Sequence, residues 1–337
     1  MSDLHDQLAK LPPERRRLVE RLLKEKRPDA IIPRAGEAPP PLSFAQERLW
    51  FLDQFEPGSP DYNIPCAVRL RGRLDIGALQ RALNEIIRRH EALRTTFAAP
   101  EGKPIQIIAP HLTLSPAIRD LRSVPAAERE AEALRLAGED ARQPFDLQKG
   151  PLLRASLLQM DEQEHIAVLN LHHIIADGWS MGILVRELST LYEAFVQGHP
   201  SPLPELAIQY ADFAAWQRDW LQGETLERQL NYWKQQLAGL ATLELPTDHP
   251  RPPVQSSRGA SLAHDLPADL AQAIGALAQR EGATPFMVLL AAFQALLARY
   301  SSQEDIAVGS PIANRNRAEI EPLIGVFINT LVLRGDL

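Results

Sequence analysis

LHHIIADGWS, residues 171–180, is the stretch of the sequence that indicates the fold most clearly. An apolar run ends in two histidines, an Asp-Gly turn follows, and a helical pattern begins just beyond the turn. Adjacent side chains of a strand point to opposite faces, so His172 and His173 are not expected to serve one site. One histidine is expected to face a reaction cavity, while the other packs or makes a structural hydrogen bond.

The residue types of this stretch suit proton transfer. The ordinary pKa of histidine is about 6.5, so one side chain can accept a proton and return it in the same cycle. Asp177 can cap the following backbone or pair with a cation, and Gly178 allows a backbone conformation or close approach denied to other residues. A zinc site is not predicted, because zinc ligands on one element usually share a face and no third ligand lies nearby. Taken alone, the pattern fits a catalytic histidine and two core histidines equally well.

Helical and strand patterns alternate along the rest of the chain, which predicts an α/β (α+β) fold. A chain of 337 residues falls in the size range where cores usually split in two, so two lobes are expected. The turn-rich residues 198–206 predict the boundary, with lobes over 42–203 and 204–337. Helices are predicted over 43–54, 76–90, 126–142, 181–196, 268–280 and 285–300, and strands over 66–72, near 95 and 105, and over 152–160, 165–171, 261–266, 305–313 and 325–334.

Residues 1–41 are predicted to form a leader in front of the folded domain. Residues 14–26, ERRRLVERLLKEK, have apolar positions at helical spacing under a charged remainder, which predicts a short amphipathic helix. The proline-rich run that follows, up to Pro41, suits a stiff spacer, and the domain is expected to begin near Leu42. The helix either is merely solvated or docks another protein.

Composition narrows the function classes. A net charge of −7 argues against nucleic acid or an anionic membrane as the main partner. Cys66 is the only cysteine, so neither a disulfide framework nor a cysteine-based metal site is expected. The most apolar stretch, residues 286–298, is too short to span a bilayer, and the N-terminus shows no secretory signal, which predicts a cytoplasmic protein.

Five stretches, in order and over nearly the whole chain, resemble the signature segments of nonribosomal peptide synthetase condensation domains. The resemblance rests on the match of each stretch and on their order. The first signature is LSFAQERLWFLDQF (42–55), the second RHEALRTTF (89–97), the third LHHIIADGWS (171–180), the fourth YADFAAW (210–216) and the fifth IGVFINTLVLR (324–334).

The resemblance implies a fold like that of chloramphenicol acetyltransferase, a pseudodimer of two lobes with the HHxxxDG histidines in a tunnel between them. It implies an enzyme that joins a donor acyl or peptidyl thioester to an acceptor aminoacyl amine by an amide bond. Both substrates would be carried on 4'-phosphopantetheine by peptidyl carrier proteins, beside adenylation domains, and no cofactor would be bound by the chain itself.

The resemblance also assigns roles within the third signature. His173 would be the working histidine, either as general base or as the group that orients the amine and stabilises the charged intermediate. His172, Asp177 and Gly178 would shape the site. Arg94 of the second signature would form an ion pair with Asp177.

Further polar residues of the signatures are candidates for lining the tunnel. The first signature is mainly an amphipathic helix with Leu49, Trp50 and Leu52 in the core, and the fourth is mainly packing. The polar residues of the fifth signature either satisfy buried backbone groups or line the tunnel. The candidates are Ser43, Gln46, Arg48, Trp179, Ser180, Asn329 and Thr330.

The resemblance extends to a subtype and stops before the family's last segments. The first and third signatures are most similar to the LCL-like subtype, which accepts an L-configured donor. Two later signatures do not occur before Leu337, which implies an incomplete second lobe in a fragment or a truncated protein. Two alternatives to the amide-forming enzyme stay open: a free acyltransferase acting on small molecules, and a noncatalytic module that recruits carrier proteins.

Overall fold

The computed structural model describes residues 30–34, 38–250, 252–253 and 259–337. The predicted leader helix over 14–26 lies outside the described residues. The helices are α1 Phe44–Phe55, α2 Ile76–Arg89, α3 Arg129–Arg142, α4 Gly178–Val196, α5 Tyr210–Trp220, α6 Gly223–Gln236, α7 Ala268–Arg280 and α8 Pro285–Ser301. The strands are β1 Asn63–Arg71, β2 Thr95–Ala98, β3 Ile105–Ile108, β4 Ala117–Asp120, β5 Leu153–Asp161, β6 Glu164–His172, β7 Asp305–Ile312 and β8 Asn329–Asp336.

The chain forms two compact units, which differ from the predicted lobes. The first unit runs to Gln222 and also includes Ala313–Ile328, which we call the return segment. The second unit comprises Gly223–Ile312 and Asn329–Leu337. The turn-rich residues 198–206 do not mark the boundary, because α5, which follows them, buries Tyr210 and Phe213 in the core of the first unit.

A four-stranded sheet with the order β1-β6-β5-β4 supports the first unit. β6 pairs antiparallel with β1 and β5, while β4 runs parallel to β5. β6 is buried along most of its length, as expected of a central strand with a nearly continuous apolar sequence. A turn joins its end to α4, which packs against α2. This order places His172 at the last position of β6, opposite Asn63 of β1, and His173 just beyond the strand.

The described segment before α1 is part of the first unit, which corrects the prediction that the folded domain begins near Leu42. Ile31 is buried in the main core. Arg34 forms an ion pair with Asp212 at 3.0 Å. Proline lacks a backbone donor but keeps its carbonyl, and Gln106 Nε2 donates to the carbonyl oxygen of Pro41 at 2.7 Å. The described residues 30–34 and 38–41 are therefore anchored by specific contacts.

The second unit contains α6, α7, α8 and the antiparallel pair β7–β8, in which Asp305 lies opposite Asp336. Gln294 is buried in α8 and donates from Nε2 to the carbonyl oxygen of Leu333 at 3.1 Å, which ties the helix to the pair. The predicted strand over 261–266 is wrong: these residues form no helix or strand, and Leu262 is 96% exposed. The predicted strand over 325–334 begins only at Asn329, because the apolar residues before it pack into the first unit.

Among the described residues no single helix is long and apolar enough to cross a bilayer, and α7 with α8 passes that test only as a pair bent by 104°.

Candidate active site

His172 is a buried histidine with a structural hydrogen bond. Its side chain lies near the rings of Tyr62 and Phe145, with centroids 6.4 and 6.2 Å away. The backbone N–H of Ile174 donates to its Nδ1 at 3.1 Å, so the ring proton of the neutral form is on Nε2. Burial, and to a smaller extent the neighbouring His173, lowers the pKa of His172 to about 4. His172 is therefore neutral near pH 7 and fixed in place.

His173 is held in the opposite tautomer. It is half-buried, and its Nδ1 lies 2.8 Å from the carbonyl oxygen of Ala176. A carbonyl oxygen only accepts, so Nδ1 carries the proton and Nε2 keeps its lone pair. Nε2 makes no hydrogen bond to any residue that the structure describes. His172 is thus the histidine that packs and makes a structural hydrogen bond, and that His173 faces a reaction cavity stays a prediction.

Asp177 caps α4 and accepts hydrogen bonds at both carboxylate oxygens. Oδ1 accepts from the backbone N–H of Ser180 at 2.9 Å and from its Oγ at 2.7 Å, and Oδ2 accepts from the N–H of Phe327 at 3.0 Å. Arg315 donates from Nη2 to Oδ1 at 3.1 Å. The side chains of Asp177 and Arg315 are 2% and 1% exposed, so they form a buried ion pair.

The predicted ion pair between Arg94 and Asp177 is wrong. Arg94 donates from Nη1 to the carbonyl oxygen of Ala109 at 2.5 Å, and its nearest carboxylate is that of Glu91, at 3.8 Å. The position opposite Asp177 is taken by Arg315, which arrives on the return segment. Arg94 therefore ties the short helical turn Glu91–Arg94 to the residue that follows β3, outside the Asp177 network.

Sequence reasoning did not single out Arg315. Its Nη1 donates to the carbonyl oxygens of Ile320 and Leu323, both at 2.7 Å, and its guanidinium lies 4.1 Å from the ring centroid of Phe327. The sequence signal is weak, because Arg317 stands two residues away and is equally plausible by pattern. The structure separates them: Arg317 lies over the ring of Trp216, at 4.6 Å, instead of beside Asp177.

Ser180 and Trp179 occupy different environments, although both are predicted to line the tunnel. Ser180 is 1% exposed, and its Oγ donates to Asp177 Oδ1 and accepts from the backbone N–H of Gly325 at 3.1 Å. Ser180 is therefore part of the buried network and lines no open space. Trp179 is 51% exposed, and its Nε1 donates to the carbonyl oxygen of Glu321 at 3.3 Å.

Gly178 has no structural reason to be glycine among the described residues. It is the first residue of α4, its φ is not positive, and nothing lies within 4 Å of a Cβ built on it. The predicted need for a special conformation or for close approach to the protein's own atoms is therefore wrong. Gly178 is exposed, so the space beside it is open to a ligand.

The polar residues of the first signature also differ in their exposure. Ser43 caps α1 in a reciprocal capping box with Gln46, and both side chains are buried. Gln46 Nε2 also lies 3.4 Å from the carbonyl oxygen of Ile174, next to His173. Neither side chain lines open space, which corrects that prediction, whereas Arg48 is exposed.

Tyr210 of the fourth signature has a polar role that its packing position alone did not suggest. Its hydroxyl lies 2.7 Å from Ser43 Oγ and donates to the carbonyl oxygen of Val326 at 2.7 Å. Burial raises the pKa of this phenol well above its usual range, so it stays protonated. The ring also explains Gly325, because a Cβ there would lie 2.0 Å from Tyr210 Cδ2.

Asn329 and Thr330 are exposed at the start of β8 in the second unit. Asn329 Oδ1 accepts from the backbone N–H of Thr330 at 2.9 Å. They therefore satisfy no buried backbone group, and the alternative that they line the tunnel stays a prediction. No group of three or more His, Cys, Asp or Glu side chains in the described ranges is arranged to hold a metal ion.

Sequence comparison identifies the family. Residues 37–337 match the Condensation domain family, so the chain belongs to the condensation domains. One linear gramicidin synthase protein of Brevibacillus parabrevis is 57% identical over 312 residues, which cover 92% of this chain and 4% of that protein. Phosphinothricin tripeptide synthetase PhsC of Streptomyces viridochromogenes is 46% identical over 340 residues, which cover 99% of this chain and 31% of that protein. The chain thus spans a small part of the synthetases that it matches.

Solved structures agree with this family. The X-domain from teicoplanin biosynthesis has a TM-score of 0.79 and 30% identity, with 91% of this chain and 68% of that chain covered. SgcC5 of Streptomyces globisporus has a TM-score of 0.71 and 35% identity, with 88% and 68% covered. The predicted α/β fold of the chloramphenicol acetyltransferase type is confirmed, as is the resemblance to nonribosomal peptide synthetase condensation domains. The enzyme class, acyltransferases that form amide bonds, is confirmed at the level of the family.

Proposed function

We propose that this chain forms an amide bond between a donor acyl or peptidyl thioester and the amine of an acceptor aminoacyl thioester. The observation that carries the proposal is the state of His173. Its tautomer is fixed by the carbonyl oxygen of Ala176, and its Nε2 has a free lone pair at a half-buried position. A polar atom kept free in this way is suited to a substrate proton.

The reaction balances with His173 in either of its two proposed roles. The acceptor nitrogen attacks the donor carbonyl carbon, a C–N bond forms, and the C–S bond breaks to release the donor arm's thiol. As a base, His173 Nε2 takes the proton that the amine loses and returns it to the departing sulfur. As an orienting group, the same atom accepts a hydrogen bond from the amine, the proton that the amine loses passes to the departing sulfur, and positioning supplies most of the rate.

The buried network below His173 shapes the site without touching the substrate. Asp177 is locked by Arg315, Ser180 and the backbone of Phe327. Its cap fixes the first turn of α4 and, through the short turn before it, the position of Ala176. Because Ala176 holds His173 Nδ1, this network sets the direction in which Nε2 points.

The finer parts of the proposal rest on the signatures. We propose the LCL-like subtype, since the first and third signatures are most similar to it. We propose that both substrates arrive on 4'-phosphopantetheine arms of carrier proteins, with adenylation domains as neighbours, which fits relatives that are long synthetases. Trp179 and the open side of Gly178 are exposed near the site and are proposed to face a substrate arm. We also propose that the chain acts in the cytoplasm.

The test is amide formation from aminoacylated donor and acceptor carrier proteins, comparing wild type with His173→Ala. His199→Ala is the matched control, because His199 is exposed and its side chain makes no hydrogen bond within the described part of the chain. Product from wild type and His199→Ala, with at least about a hundredfold less from folded His173→Ala, supports the proposal. Equal product from all three would remove His173 from the reaction.

A carrier-recruiting or other recruiting module is the second candidate. The observation that favours it is the TM-score of 0.79 to a teicoplanin X-domain that was solved in complex with OxyB, a protein partner. Binding of carrier proteins without product, by folded wild type on several substrate pairs, would support this candidate. Turnover of free small-molecule thioesters, with no gain from carrier proteins, would instead indicate a free acyltransferase.

A further inference from the structure

His90 of the second signature ends α2 and contacts the return segment. It is 1% exposed, and the backbone N–H of Ile324 donates to its Nδ1 at 3.3 Å. Its Nε2 lies 3.0 Å from Glu187 Oε2 on α4. One imidazole ring thus joins α4 to the start of the fifth signature.

The surroundings of Glu187 fix which ring nitrogen of His90 is protonated. Arg89 donates to the same carboxylate from Nε and Nη2, both at 3.2 Å. Burial raises the pKa of Glu187, but the hydrogen bonds from His90 and Arg89 outweigh it and hold the pKa below its usual range. Since an ionised carboxylate only accepts, Nε2 of His90 donates to it, and Nδ1 offers its lone pair to Ile324. Both ring nitrogens are then satisfied.

The bond to Ile324 begins a continuous run of backbone contacts. The next residue, Gly325, donates from its backbone N–H to Ser180 Oγ at 3.1 Å, and its carbonyl oxygen lies 2.9 Å from the same Oγ. Two residues further on, Phe327 donates to Asp177 Oδ2 at 3.0 Å. Successive residues of an extended chain advance by about 3.3–3.6 Å. A shift of Ile324 by a fraction of that distance would therefore misplace the donors that reach Ser180 and Asp177.

We propose that His90 is a positioning residue of the active site, acting through Ile324 on the Asp177 turn that orients His173. The series of contacts runs from α4 through Glu187 and His90 to the return segment, and from the return segment back to the N-terminus of α4. For its catalytic consequence this inference rests on the proposed function, whereas its structural consequence can be measured without turnover.

Two substitutions of His90 separate its two bonds. Asparagine places a carbonyl oxygen close to the position of Nδ1, so His90→Asn keeps the acceptor for Ile324 and gives up Glu187. Glutamine places its amide close to the position of Nε2, so His90→Gln keeps a donor for Glu187 and leaves the N–H of Ile324 unpaired. Both variants lose the aromatic ring, so they are matched for lost packing.

Hydrogen–deuterium exchange of a peptide containing Leu323–Phe327 is the first readout, using the 337-residue chain. An unpaired buried N–H is expected to raise the exchange rate of this peptide about tenfold or more in His90→Gln, while His90→Asn stays near wild type. The second readout is amide formation from carrier-bound substrates. The kcat of His90→Gln is expected to fall about tenfold below that of His90→Asn, with the KM for both carriers unchanged.

His165 provides the control, because it is another buried histidine of the first unit, on β6, with Nδ1 unpaired. His165→Asn and His165→Gln are expected to leave exchange of the return segment unchanged. Equal exchange and equal kcat in the two His90 variants would overturn the positioning role. If wild type forms no amide while the exchange difference is present, the proposed function fails and the structural link stands.

Discussion

Arg315→Met tests the buried ion pair with Asp177 that the family resemblance implied for Arg94. The side chains of Arg315 and Asp177 are 1% and 2% exposed. Removing one partner of such a pair leaves the other charge buried, which costs about 3–5 kcal/mol. The carbonyl oxygens of Ile320 and Leu323 lose their donor in the same variant. We therefore expect the free energy of unfolding of the first unit to fall by at least about 3 kcal/mol.

Arg94→Met is the matched control, since Arg94 is the arginine that sequence reasoning placed beside Asp177. Among the described residues its side chain makes one hydrogen bond, to the carbonyl oxygen of Ala109, and its contact with the carboxylate of Glu91 is 3.8 Å long. Its loss is expected to cost about 1–2 kcal/mol. The double variant Arg315→Met, Asp177→Asn carries no unpaired charge and should recover at least about 1 kcal/mol relative to the sum of the single changes.

The assay is urea unfolding followed by tryptophan fluorescence in a Trp233→Phe background. Trp233 lies in the second unit, whereas the other tryptophans of the chain lie in the first, so fluorescence then reports on the first unit. The slope with urea should stay constant across the variants if only stability changes. A loss below about 1 kcal/mol in Arg315→Met, or a loss equal to that of Arg94→Met, would refute the assignment of Arg315 as the partner of Asp177.

Three further predictions follow from single positions. Gly325→Ala should lower Tm strongly or prevent folding, because its Cβ would lie 2.0 Å from Tyr210. Gly275→Ala in α7, where a Cβ meets open space, should leave Tm unchanged or slightly higher. Equal Tm values for the two variants would contradict the close approach. The pKa of His172 is lowered to about 4, so the unfolded chain binds a proton more readily than the folded chain between about pH 6.5 and 4. The free energy of unfolding of wild type should therefore fall by up to about 3 kcal/mol as pH falls through that window, and that of His172→Asn should fall correspondingly less. Parallel stability profiles would show that His172 does not titrate as described. Gly178→Ala should unfold no earlier than wild type, so that any fall in amide formation by the folded variant reports on substrate approach, and a lowered Tm would show a structural role instead.

Local patterns of the sequence predicted the elements that carry the histidines. The apolar run before His172 and the Asp-Gly turn after it predict a strand, a turn and a helix, and β6 and α4 match them closely. Strand alternation also separates the histidines, since His172 is 3% exposed and His173 is half-buried. These inferences succeed because each depends on neighbours within a few residues.

The same local patterns could not predict contacts between residues that lie far apart in the chain. Arg315 is 138 residues from Asp177 in the chain, and no local pattern distinguishes it from Arg94 or Arg317. The apolar run from Ile324 to Phe327 has the composition of a strand but pairs with no strand in the part of the chain that the structure describes. Whether such a run pairs in a sheet or packs singly into a core depends on what the rest of the fold brings beside it.

Residues of the other signatures gather around the start of the fifth signature, on the return segment. A match to the signatures therefore indicates a shared structure before it indicates a shared reaction. The backbone of Ile324–Phe327, at the start of the fifth signature, makes hydrogen bonds to residues of three other signatures. These residues are His90 of the second signature, Asp177 and Ser180 of the third, and Tyr210 of the fourth. Tyr210 in turn contacts Ser43 of the first signature. These residues therefore maintain a buried scaffold, and a noncatalytic relative could keep them all for that reason. His173 Nε2 has no bond within the scaffold that the structure describes, while its Nδ1 is held by it. The case for catalysis thus depends on this one atom. Amide formation from carrier-bound substrates by a His173 variant tests it more directly than any further match of the signatures.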